Sequence, residues 1–252
     1  MDSLNAALGK LFKQWKSTYK CPFVKDGLMF KKDQTIDIEN LWLHSKRRIA
    51  FLVKDQNQGK GEHWDDDARL WLRDDWRTQE LKRPMFRNIA NLFYGLSHVS
   101  VEESAQIWYS ELNHDKVKNH FNHYPFAFIE CKKVPGCSLL TDRELREYIQ
   151  QDTTFLSKEI ELLNPNILVC CGGPIFDFAI NMYGKHALHN YGINGNLRYS
   201  AEKNLVLIYC EHPAKRFMHS ETFYDTTMDL FRLFLKTEDG KNFSHCSTHN
   251  NA

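Results

Sequence analysis

Four short apolar runs, each broken off by a polar or glycine-rich loop, constrain this chain more than any other feature. They occupy residues 49–53, 125–129, 167–171 and 205–209. An apolar run of strand length with no polar alternation suits a strand covered on both faces of its sheet. The intervening stretches carry helical signals. Thr141-Asp142-Arg143-Glu144 has the form of a capping box and opens a pattern through Leu145, Ile149, Leu156, Ile160 and Leu163. Leu4, Leu8, Leu11, Phe12 and Trp15 repeat at helical spacing, as do Phe86, Ile89, Ala90 and Phe93. Strands alternating with helices predict an α/β fold, three layers α/β/α, around a mostly parallel four-stranded central sheet.

The 252 residues suit one domain, here placed at 1–236. Within it the reading expects an N-terminal helix and hairpin extension over 1–45, with Asp26-Gly27 at the turn, and a charged helical insertion over 62–120. A flexible tail is expected over 237–252. The net charge of +1 gives no whole-molecule field for nucleic acid, so any such contact must come from a local groove. The seven cysteines are odd in number and include no Cys-x-x-Cys pair, which argues against a disulfide framework and a four-cysteine metal site. No metal or organic cofactor is signalled. Residues 1–20 contain no apolar signal core, and no apolar run reaches membrane-span length. The expectation is a cytoplasmic protein with no membrane contact and no obligate protein partner.

In open α/β sheets ligands bind at the carboxyl ends of strands. The first run ends in Lys54-Asp55-Gln56-Asn57 and the second in Glu130. The third ends in Gly172-Gly173-Pro174, whose free amides before a helix suit a phosphate group. The fourth ends in Glu211-His212-Pro213-Ala214-Lys215-Arg216-Phe217. Each has a bland counterpart: a solvated turn, an ion pair with Lys132 or Lys133, a tight glycine turn, a structural histidine.

Taken in order, the four ends resemble the motifs of the uracil-DNA glycosylase superfamily, from about Ile49 to Arg216. Lys54 to Asn57 lies where that family has its water-activating motif, with the usual glycine and proline replaced. The resemblance implies Asp55, with Asn57 as the alternative, as the water-orienting group, and His212 as the group that stabilises the leaving base. It implies base contacts from Gln56 and Glu130, and an aromatic such as Phe128, with Phe126 or Trp64 as alternatives, is expected to stack on the base. It implies DNA contacts from Lys54, Gly172, Gly173, Lys215 and Arg216, with Arg216 or Phe217 as the wedge entering the stack. Ala214 stands where the family has serine.

Glu130 departs from the asparagine that the family carries there. Read as an ionised carboxylate it only accepts hydrogen bonds, which favours the exocyclic amine of a cytosine over uracil O4. The expected activity is therefore hydrolysis of the N-glycosidic bond of a flipped pyrimidine, a modified cytosine such as occurs in phage DNA, leaving an abasic site. Such an enzyme would serve anti-phage defence. The alternative is a catalytically inactive DNA-binding module on the same fold. An unrelated α/β hydrolase using His212 ranks third, since no Gly-x-Ser-x-Gly elbow occurs.

Overall fold

In the computed structural model, which describes residues 3–57, 67–101, 107–136, 140–215 and 217–246, the four predicted strands lie side by side. The strands are β1 (Gly27–Leu28), β2 (Ile49–Asn57), β3 (Ala127–Gly136), β4 (Ile167–Cys171), β5 (His189–Tyr191), β6 (Leu197–Ser200) and β7 (Leu205–Cys210). The helices are α1 (Leu4–Lys16), α2 (Ile38–Leu43), α3 (Ala68–Asp74), α4 (Trp76–Gln79), α5 (Pro84–His98), α6 (His114–His123), α7 (Asp142–Leu163), α8 (Gly173–Tyr183), α9 (Ser220–Leu235) and α10 (Glu238–Cys246).

Among the described residues the sheet has seven strands in the order β1-β3-β2-β4-β7-β6-β5. The block β3-β2-β4-β7 is parallel, and β1, β6 and β5 pair antiparallel at its two margins. The α/β class is as expected, but the sheet is larger and mixed rather than four-stranded. The three added strands escape a periodicity reading because they have two to four residues each.

Helices cover both faces. Phe51, Val53, Phe128 and Val169 pack with Ile89, Phe93, Phe231 and Phe234 of α5 and α9 on one side. Ala50, Leu52, Ile129 and Cys170 pack with Phe12, Leu156, Ile160 and Phe178 of α1, α7 and α8 on the other. Two-sided covering is why these strands read as unbroken apolar runs.

Three boundary expectations are corrected. Leu8, Phe12 and Trp15 of α1 are fully buried, and β1 joins the sheet beside β3 rather than forming a hairpin. Over the described residues 3–45, α1, β1 and α2 therefore pack into the core rather than forming an extension. The 62–120 segment is no inserted lid over its described part, since α5 buries Ile89, Ala90, Leu92 and Leu96 against β2 and α9 as a full layer. Residues 238–246 form α10, which buries Phe243, so the expected flexible tail is helical there, and residues 247–252 lie outside the described residues. Among the described residues no helix is long and apolar enough to cross a membrane.

Candidate functional site at the carboxyl edge of the sheet

From β2 the chain crosses on the α5 face to β3, whereas from β4 it turns into α8 on the opposite face. Connections that leave adjacent parallel strands toward opposite faces open a crevice at their carboxyl ends. The end of β2 with Lys54-Asp55, still strand where the sequence suggested a loop, and the turn at Gly172 into α8 flank that crevice. Lys132 of β3 and His212 beyond β7 bound it on either side, over about 15 Å for four strands spaced by their backbone hydrogen bonds.

Asp55 pairs in register with Lys132 on β3, and Lys132 Nζ donates to Asp55 Oδ2 at 3.1 Å. The side chains are only 5% and 9% exposed for Lys132 and Asp55. The same ammonium donates to Val134 O at 2.6 Å and lies 5.0 Å from the Tyr148 ring centre. Burial pushes the Asp55 carboxyl up from its ordinary range, while Lys132, and more weakly Lys54, draw it back. The register shifts between Asp55 and Asn57, so that Gly136 faces Asn57 where Lys132 faces Asp55. The strand end thereby folds over the ion pair, and a Cβ at Gly136 would collide with Asp55 Oδ2 and Lys132 Nζ. Gly136→Ala is expected to cost about 1–3 kcal/mol in denaturant unfolding, the usual range for forcing atoms into a packed site.

His212 is half-buried after β7. Its Nδ1 accepts the backbone N–H of Ala214 at 3.1 Å, and Lys215 N–H closes the turn onto His212 O at 2.8 Å. Asn88 of α5 holds the turn from below, donating from Nδ2 to Pro213 O at 2.7 Å. Burial lowers the His212 pKa, and the nearby Lys54 ammonium lowers it further. A neutral ring whose Nδ1 accepts must carry its proton on Nε2. His212 is thus an uncharged Nε2–H donor at this edge. Lys54 acts electrostatically on both His212 and Asp55, and it is anchored by Asp142 of α7 at 3.3 Å.

Glu130 lies two residues before Lys132, opposite Val53, and by strand alternation shares the face of Val53 and Asp55. Its carboxyl is closed off from solvent, with neither oxygen hydrogen-bonded among the described residues. Burial first, and then the neighbouring Asp26, push its pKa well above the usual glutamate value. That direction favours the protonated form and runs against the reading of Glu130 as an ionised acceptor: a protonated carboxyl carries one donor and one acceptor, so charge would not set it against uracil.

The remaining expected residues divide clearly. Gly172 caps α8 at φ 132°, which favours glycine, and no side chain caps the helix's first turn. Lys215 is exposed and pairs with Glu211 at 3.0 Å. Phe217 is fully exposed, with a left-handed φ of 65°. Phe128, by contrast, is a core ring 5.7 Å from Phe86 rather than an open stacking surface, and Phe126 is likewise buried. Trp64 and Arg216 lie outside the described residues, as do the side chains of Gln56 and Asn57.

No family model matches the chain, and neither does any curated protein. Its function is argued from the edge itself. The residues that the sequence reading missed are Asn88 and Gly136, while Lys132 appeared there only as a bystander cation. The signal for Lys132 was present: consecutive lysines in an extended strand point to opposite faces, so one must enter each layer.

Proposed function

We propose that this protein is a DNA glycosylase that flips a pyrimidine out of DNA and hydrolyses its N-glycosidic bond. What supports the reading is that a carboxylate on β2, Asp55, and a neutral Nε2–H donor beyond β7, His212, stand at the same carboxyl edge of the sheet, with the Lys54 ammonium acting on both. As the glycosidic bond lengthens, positive charge builds on the sugar and negative charge on the departing base. Asp55 offsets the first and takes a proton from the attacking water, whose oxygen adds to the anomeric carbon. His212 donates to the anionic base without first having to lose a proton. The uncapped start of α8 suits a backbone phosphate, and the exposed Phe217 suits the gap left by an extruded base.

Duplexes carrying uracil, cytosine and modified cytosines, together with phage DNA of modified composition, test this when treated with hot alkali after incubation. Strand breaks at one base class are expected. Salt-dependent binding with no breaks on any substrate would instead identify a binding module. A neutral carboxyl and a carboxamide each offer one donor and one acceptor, so Glu130→Gln is expected to keep the rank order of bases. A shift toward uracil of roughly tenfold or more, the worth of one mispaired contact, would mean that Glu130 is ionised in the complex.

A further inference from the structure

Asp55 faces charged groups from three elements. Lys54 precedes it on β2 and is paired to Asp142 of α7. Lys132 lies beside it on β3, with Glu130, whose protonated form burial favours, two residues earlier and Tyr148 of α7 against the ammonium. Among the described residues only the Lys132 side chain donates to the carboxylate, at 3.1 Å, and the exposure of both side chains is below one-tenth. Lys132 is in turn fixed by Val134 O, and the strand end folds over the pair at Gly136, where there is no room for a Cβ. Two groups held this way on both sides leave Asp55 little freedom to turn. Lys132 uses Oδ2, and no described residue donates to Oδ1.

We propose that Lys132 is a positioning residue: it holds Asp55 as an anion with one oxygen turned to the crevice, although it touches neither base nor water itself. A carboxylate sealed this deeply without a cation would take up a proton near neutral pH, and a protonated Asp55 can neither accept the proton of water nor offset charge on the sugar. Lys54 is a weaker substitute, being further from Asp55 and already engaged by Asp142. The inference rests on the glycosylase reading for the role of Asp55, while the ion pair itself is judged apart from activity.

The experiment compares wild type with Lys132→Met, which keeps the length and apolar stem but removes the charge. Two readouts are taken: abasic-site formation from pH 5 to 9, and titration of the Asp55 carboxyl by carbon-13 NMR, identified through Asp55→Asn. In Lys132→Met the acid limb of the rate profile and the Asp55 titration should rise together. Activity at pH 6 should fall roughly tenfold or more below wild type, with recovery toward pH 9. A merely structural role would lower activity equally at every pH, and an unmoved Asp55 titration with an unshifted profile overturns the proposal. Should Lys132→Met fail to fold, the wild-type titration decides: Asp55 ionised well below neutral supports it, and Asp55 titrating above neutral overturns it. If wild type makes no abasic sites at all, the glycosylase reading fails, and the two NMR titrations still judge whether Lys132 sets the charge on Asp55.

Discussion

Replacing His212 by alanine is expected to lower the rate of base release by roughly 10²–10³-fold while leaving DNA affinity within a few-fold, measured under single-turnover conditions. The magnitude follows from losing one fixed donor aimed at charge that appears only in the transition state. The pH dependence has a definite sign. The Ala214 N–H occupies Nδ1 as an acceptor, so the neutral ring is the working form. Burial and Lys54 hold the ring's pKa below the ordinary imidazole value. The ring should accordingly stay in its working form through that ordinary range as pH falls, adding its own loss of activity, beyond any from Asp55, only where the folded-state ring finally protonates. Stability follows the same group: the unfolded chain takes up the proton first, so the contribution of His212 is present above the ordinary value and is lost as pH falls through the folded one. A full-strength His212→Ala enzyme would remove the histidine from the mechanism.

Lys133→Met is expected to be the most damaging single change to the fold. Lys133 is fully buried, 2.6 Å from Asp26 Oδ1 and 2.8 Å from Glu159 Oε2, with the rings of Phe12 and Trp15 close by. Its positive charge sits among three acidic side chains, since Glu130 lies near the same Asp26. Burial and then Asp26 also push Glu159 well above the usual glutamate range. Lys133 thus offsets the acidity of a buried cluster in which burial favours the protonated forms of Glu159 and Glu130. Removing the cation leaves Asp26 buried without the ammonium, although it still accepts the Glu130 N–H at 2.7 Å. Loss of one partner from such a pair costs about 3–5 kcal/mol, or roughly 10 °C in Tm for a chain of this size. Lys133→Met combined with Asp26→Asn should recover much of the loss, because the new side chain is neutral and can still accept that N–H. Chemical denaturation of the two variants checks both statements. Equal stability of the single and double variants would mean that charge imbalance is not the cause.

What the sequence made legible, and what it did not, follows from reach along the chain. The four inner strands and α7 were readable because both-sided burial and the Thr141 capping box leave local marks. The short antiparallel strands β1, β5 and β6 leave none, being defined by their partners rather than by their own pattern. Composition also misassigned the 62–120 stretch. Its charges and tryptophans drew the eye, whereas the Ile89-Ala90, Leu92-Phe93 and Leu96 stripe of α5 makes it a core layer. The polar strand ends read from the sequence do fall at the carboxyl ends of one parallel block. The charge state of Glu130 was not legible, because it depends on Asp26, which lies 104 positions away in the chain and adjacent in space. The same holds for the Lys132–Asp55 pair, 77 positions apart, and for the Asn88 support under Pro213, 125 positions apart.

The low net charge also fits this arrangement. Near the crevice, cations are matched with acids, Lys54 with Asp142, Lys132 with Asp55 and Lys215 with Glu211. On the proposed glycosylase reading, DNA affinity resting on described cations that are matched in this way should be modest and should fall with salt less steeply than that of a strongly basic binder.

The most direct measurement is the free base itself. Wild type, Asp55→Asn and His212→Ala are incubated with duplexes that carry each candidate pyrimidine, and the small-molecule fraction is read by mass spectrometry. One free pyrimidine should appear with wild type and fall by at least a hundredfold with either variant. No released base from any duplex, or equal release by all three proteins, would show that the carboxyl edge is not where an N-glycosidic bond is cut.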